Sequence, residues 1–162
     1  MQPDLNISSL LTRLAGAGVD FVVIGGVAVV AHGYERNTKD LDICYSPDSA
    51  NLEALGKVLI GLDARLRGIQ EEIPFVADAR TLRSTQILTL DTRDGGLDLL
   101  VDPDGSPGYS ALKANAERVQ FDGFELLIAS IDDLLSMKRA GGRARDQVDI
   151  EALTAIQRLR RP

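Results

Sequence analysis

The chain has one cysteine (Cys44), one histidine (His32) and no tryptophan, and only 4% of its residues are aromatic. A single thiol excludes an intrachain disulfide and any metal site built from cysteines. With so few rings the core must be leucine, valine, isoleucine and alanine, and a hydrophobic content of 44% suffices for one. Cys44 reads as a small buried residue of that core. No apolar run approaches the ~20 residues of a membrane-spanning helix. The opening Met1-Gln2-Pro3-Asp4 has neither the basic nor the apolar region of a secretory leader. The expectation is a soluble cytoplasmic protein with no membrane partner. Basic excess is also missing. A net charge of −6 argues against broad coating of nucleic acid, which needs a basic face. From Lys138 onward the balance reverses, with seven Lys/Arg against three Asp/Glu. That stretch suits a local patch for phosphates or an RNA end, or a solvated helix face with cations near its C-terminus. There is no Walker A loop, G-x-S-x-G elbow, HExxH pair, internal repeat or low-complexity tract. At 162 residues, one domain is expected, with a core over about 5–128 and a helical pair over about 130–160.

What the chain does have is concentrated in residues 21–45, FVVIGGVAVVAHGYERNTKDLDICY. The pattern predicts a strand at Phe21-Val22-Val23-Ile24, a turn at Gly25-Gly26, a short helix, a loop, and a strand containing Asp40-Leu41-Asp42-Ile43. In a strand, positions i and i+2 share a face, so Asp40 and Asp42 project together and Leu41 and Ile43 point the other way. Two carboxylates that close repel unless a cation lies between them. Mg2+ is a hard ion commonly held by one or two carboxylates together with substrate phosphates. Gly25-Gly26 allows a ligand to approach the backbone and presents free N–H groups at a helix start, which suits phosphate. Arg36 and Lys39 flank the unit. Each half alone is common, as a turn or a solvated strand edge. Together they describe a site for a nucleoside triphosphate.

This pattern (apolar strand, Gly25-Gly26, short helix, His32-Gly33, Arg36, Thr38, Asp40-Leu41-Asp42) resembles the minimal nucleotidyltransferases of the DNA polymerase beta superfamily. Within it, the sequence is most similar to small bacterial proteins related to the AbiEii-type toxins. The strong resemblance covers about the first 45 residues, and a weaker one lies over residues 130–153. One departure stands out. Many members carry Gly-Ser at the turn, with the hydroxyl on phosphate; here the second position is Gly26, so that contact falls to backbone or to Thr38.

The rest of the chain alternates legible and illegible stretches. Leu10, Leu11, Leu14 and Ala17 give a helical face over residues 5–17, and Leu52, Leu55, Val58, Leu59 and Leu62 another over 51–62. Residues 63–83 read as mostly irregular, broken at Pro74, with Phe75, Val76 and Leu82 as packed anchors. Two strands, 86–92 and 97–101, flank the turn signal Arg93-Asp94-Gly95-Gly96. The second strand carries Asp98 among apolar neighbours, and an unpaired buried charge there is costly. The resemblance implies a third metal-binding carboxylate on a strand beside the DxD pair. Asp98 is preferred for that role over Asp102, which lies toward the strand end. A short helix over 109–116 and a hairpin around Asp122-Gly123 follow. Ser130 begins a helix with Asp133 three residues on, ending at Gly141-Gly142. A last helix over 144–159 is expected to turn Val148, Leu153, Ile156 and Leu159 inward. His32, at a helix end, either binds substrate or is structural. Lys138 either reaches the triphosphate or pairs with Asp146 or Asp149 to tie the last helices together.

The fold expected is α/β (α+β): a mixed, mostly antiparallel sheet of about five strands with packed helices and a C-terminal helical pair. The resemblance implies transfer of a nucleoside monophosphate from an NTP to a hydroxyl acceptor. Asp40, Asp42 and Asp98 would hold two Mg2+ ions, and Gly25, Gly26, Arg36, Thr38 and Lys138 would bind the nucleotide. The acceptor stays open between RNA, a protein side chain and a small molecule. The AbiEii-type likeness adds a toxin role with an antitoxin partner. The alternative is a nucleotide-binding or antitoxin-like module of the same fold with little or no turnover.

Overall fold

The computed structural model describes residues 4–68 and 77–161. The elements follow in order: α1 (Ile7–Gly16), β1 (Phe21–Ile24), α2 (Gly25–Ala31), β2 (Asp40–Tyr45), α3 (Ser49–Gly61), β3 (Arg65–Leu66), α4 (Ala79–Arg83), β4 (Ile87–Thr92), β5 (Gly95–Leu100), α5 (Tyr109–Asn115), β6 (Glu117–Phe121), β7 (Phe124–Ile128), α6 (Ile131–Gly141) and α7 (Ala144–Arg160). The strands form one sheet in the order β3-β4-β5-β2-β1-β7-β6. The β1–β2, β3–β4, β4–β5 and β6–β7 pairs are antiparallel; β2–β5 and β1–β7 are parallel. The sheet is thus mixed and mostly antiparallel, as expected, but has seven described strands where a sheet of about five was expected and six strands were read along the chain. The unread one is β3, two residues long and too short to show alternation. The short α4 was also unread in the stretch taken as irregular; its signal is Asp78, whose carboxylate accepts from Thr81 N at 2.8 Å. Leu82 is the buried anchor predicted there, whereas Pro74, Phe75 and Val76 lie outside the described residues.

One face of the central strands is apolar throughout. Leu41 and Ile43 on β2 and Leu97 and Leu99 on β5 are fully buried, so strict alternation sends Asp40, Asp42 and Asp98 to the opposite face. Cys44 is buried as expected. Asn6 caps α1, which begins two residues later than the apolar spacing suggested, its side-chain Oδ1 accepting from Ser9 N at 3.0 Å. Ser130 caps α6 by accepting from Asp133 N at 3.1 Å, and Gly142 ends it in the left-handed conformation, φ 67°. The inward face of α7 corrects the sequence reading. Asp146, Asp149 and Leu153 are buried, while Val148 is 51% and Leu159 86% exposed. The buried row keeps the 3–4 spacing, but two of its members are carboxylates, so a search for apolar periodicity rotates the helix wrongly. No described helix is long and apolar enough to cross a membrane.

Candidate active site

The site is set by strand register. Asp42 on β2 stands opposite Asp98 on β5, and Asp40 stands opposite Gly96. The β4–β5 hairpin continues both rows, placing Thr89 beside Asp98 and Asp91 beside Gly96. Neighbours in register share a face, so Asp40, Asp42, Asp91 and Asp98 all rise from one patch of sheet. Asp102, the less favoured candidate, lies beyond the end of β5 and outside this patch.

Two glycines make the room. Gly25 adopts φ +67°, and a Cβ there would stand 2.1 Å from Asp42 Oδ2. Only glycine gives both the backbone conformation and the space. A Cβ at Gly96 would stand 2.0 Å from Asp40 Oδ1. The predicted turn at Gly25-Gly26 is therefore the first part of α2 itself, and β1 runs directly into the helix. Gly26 lies against Arg36 and the Thr38 methyl: a Cβ there would be 2.8 Å from Thr38 Cγ2.

The carboxylates are perturbed. Burial, then Asp98 and Asp40, push the Asp42 carboxyl from 3.8 up to about 7, outweighing the opposing pull of Lys138. Asp98 is also raised, chiefly by burial, against the Arg67 guanidinium. Asp42 Oδ1 and Asp98 Oδ1 are buried without a hydrogen-bond partner. Asp98 Oδ1 does lie 3.1 Å from Arg67 Nη2, but as an ion pair without hydrogen-bond alignment. Hard, poorly satisfied oxygens on adjacent strands fit a divalent cation. Among the described residues, however, no three His, Cys, Asp or Glu side chains already converge as a metal cage. The Arg67 guanidinium stands between Asp40 and Asp98, with Nη2 3.1 Å from an oxygen of each.

Around the carboxylates lies a cleft of about 370 Å3 lined by Gly26, Arg36, Thr38, Lys39, Lys138, Arg143 and Arg145 among others. It shares Asp42, Ile87, Leu100, Lys138 and Arg143 with a neighbouring cleft of about 380 Å3, which adds Ile24, Gly25, Leu134 and Met137. A third cleft, by Asp20 and Arg118, is remote from this chemistry; its charges are already matched as Lys113–Asp20 and Arg118–Glu125. Lys138 is nearly buried and lies 2.9 Å from Asp149 Oδ2 and 3.5 Å from Asp146 Oδ1. Arg36 pairs with the same Asp149, and Arg143 closes on Asp146 from the start of α7. Of the two roles offered for Lys138, the pairing is present, and the same network brings Arg36 from the loop before β2 against α7. His32 is structural: Nε2 contacts Ala129 O at 2.8 Å in the interior.

All eight residues singled out in the sequence (Gly25, Gly26, Arg36, Thr38, Asp40, Asp42, Asp98 and Lys138) line these two adjoining clefts. The sequence reading missed Arg67 and Asp91. Asp91 was recoverable, because the hairpin register fixes its face; Arg67 was not, since its place depends on β3.

No protein-family model and no curated protein matches the chain. Solved structures do. The lincosamide antibiotic adenylyltransferase LnuA, bound to lincomycin, superposes with a TM-score of 0.62 at 16% identity over 95% of this chain and 99% of that one. An antigenic nucleotidyltransferase-like protein from Paracoccidioides brasiliensis gives 0.57 at 19% identity over 96% and 75%. ANT(2'')-Ia in complex with adenylyl-2''-tobramycin gives 0.54 at 11% identity over 93% and 90%. These superpositions run over nearly the whole chain, which has the nucleotidyltransferase-like fold: a mixed sheet with packed helices and a C-terminal helical pair.

Proposed function

We propose that the protein is a Mg2+-dependent nucleotidyltransferase that moves a nucleoside monophosphate from an NTP to a hydroxyl on a small molecule. The observation that carries this is the Asp42–Asp98 pair: in register on parallel strands, each with a buried oxygen that accepts no hydrogen bond, facing a cleft lined with cations. Asp40, Asp42 and Asp98 would hold the metal, which when bound would neutralise the triphosphate and lower the pKa of the acceptor hydroxyl. The chain's own residues supply position and charge. The Gly25-Gly26 backbone, Arg36, Thr38 and Lys138 face the triphosphate, and Lys39, Arg143 and Arg145 add positive potential. The acceptor oxygen bonds to the α-phosphorus as the bond to the bridging oxygen breaks, and pyrophosphate leaves with that electron pair. Asp98 takes the hydroxyl proton.

The small-molecule acceptor is favoured by the structural neighbours, named for lincomycin and tobramycin. An RNA or protein acceptor with an antitoxin partner rests on the AbiEii-type sequence resemblance alone. A second reading, a nucleotide-binding module without turnover, is favoured by Gly26 in place of serine and by Asp149 already engaging both Arg36 and Lys138. The test incubates the protein with Mg2+, each labelled NTP, and a panel of hydroxylated antibiotics, total RNA and lysate protein. Label transfer to a small molecule that is lost in Asp98→Asn is the expected result. Nucleotide-induced thermal stabilisation without transfer would establish the second reading. Neither response would overturn both.

A further inference from the structure

Arg67 is a charged residue of this site that the reaction above does not use. It follows β3, and its backbone N–H donates to Thr89 O at 3.0 Å, which holds the residue beside β4. Nε donates to Asp91 Oδ1 at 3.0 Å and Nη2 to Leu90 O at 2.9 Å. The same Nη2 lies 3.1 Å from Asp40 Oδ1 and 3.1 Å from Asp98 Oδ1. It can lie there because position 96 has no side chain: a Cβ would stand 2.7 Å from Nη2. The cross-strand row Asp91–Gly96–Asp40 thus has a gap at its centre, and the guanidinium occupies it.

We propose that Arg67 is a resident counter-cation, which neutralises Asp40 and Asp98 in the metal-free protein and must be displaced by a divalent ion entering between them. This inference rests on the metal-dependent reading above and adds a regulation to it. Two cations cannot share the same carboxylate oxygens at contact distance, because each repels the other. The arrangement is built for exchange. Asp91 holds Nε from the far side and is not among the proposed metal-binding carboxylates, so the side chain keeps a partner when Nη2 withdraws. The Arg67 side chain is 27% exposed, which leaves water open to the departing end. Its contact with Asp98 Oδ1 is a charge contact without hydrogen-bond alignment, the weaker of the two kinds. The consequence is a divalent-ion threshold: metal binding is weakened by the coupling to Arg67, and the metal-free site is spared the repulsion of its own carboxylates.

The test is Mn2+ titration without nucleotide, read by electron paramagnetic resonance, on wild type, Arg67→Gln and Arg67→Lys, with thermal unfolding in chelator alongside. Removing the competing charge should tighten Mn2+ binding about tenfold in Arg67→Gln, within the range of ordinary site–site coupling. The same variant should melt lower than wild type without metal, and Mn2+ should restore it. Arg67→Lys should fall between, because an ammonium cannot span Asp91, the Leu90 carbonyl and both carboxylates at once. If Arg67→Gln does not fold, Arg67→Lys carries the test, and it must bind Mn2+ more tightly than wild type. Unchanged or weaker Mn2+ binding in the variants, with wild type binding well, would overturn this inference alone and make Arg67 a brace. Absence of Mn2+ binding in wild type and variants alike would overturn the metal-dependent reading and this inference with it.

Discussion

Replacing Asp42 by asparagine exposes the electrostatic cost of holding two carboxylates side by side. Burial and the neighbouring Asp98 and Asp40 raise the Asp42 carboxyl from 3.8 to about 7, so the folded metal-free protein holds this proton more tightly than the unfolded chain does. A raised folded-state pKa on an acid favours folding at low pH. That contribution is complete below about pH 4 and is lost as pH rises through about 7. At about 1.4 kcal/mol per tenfold change in proton affinity, the rise sets a ceiling of about 4 kcal/mol. Asp98 is raised as well and the side chains relax, so about 2 kcal/mol is expected. For a chain of this size that is about 4–8 °C in Tm. In chelator at about pH 8, Asp42→Asn should therefore melt above wild type by that margin, and near pH 4 the two should converge. Differential scanning calorimetry at both pH values measures the gap. A variant that melts at or below wild type at the higher pH, or a gap that does not change with pH, would refute the reasoning.

Further substitutions probe the frame around that pair. Gly25→Ala should cost about 1–2 kcal/mol for a left-handed alanine and dislodge Asp42, so label transfer should vanish; chemical denaturation and the transfer assay read the two effects. Lys138→Met leaves the buried Asp146 and Asp149 with one cation fewer, and a loss of about 3 kcal/mol is expected in urea unfolding. A loss under about 0.5 kcal/mol would mean that apolar contacts alone hold α6 to α7. Ser130→Ala removes the α6 cap and should lower stability by about 1 kcal/mol while leaving label transfer intact.

Much of the site was legible because it depends on local rules. Alternation alone puts Asp40 and Asp42 on one face, and Leu41 and Ile43 on the other. The Gly25-Gly26 pair announces a backbone that no side chain could share. The two-residue hairpin turn between Thr92 and Gly95 fixes which residues of β4 and β5 are opposite. What was illegible depends on elements with weak or misleading signals. β3 is two residues long, and α7 hides its inward face behind carboxylates. Val148 and Leu159 were placed inward for that reason and are exposed.

The sequence by itself determined the alternating strands, the glycine positions and the acidic residues, since strand period and the absence of a Cβ are properties of the chain within a few residues. Only the tertiary structure decided which carboxylates meet, because Asp42 and Asp98 are 56 positions apart and are joined by a parallel register that no local turn specifies. It also decided that Arg67 stands between Asp40 and Asp98. A long side chain can reach any charge within its span, and only the packing of β3 on the sheet edge selects which.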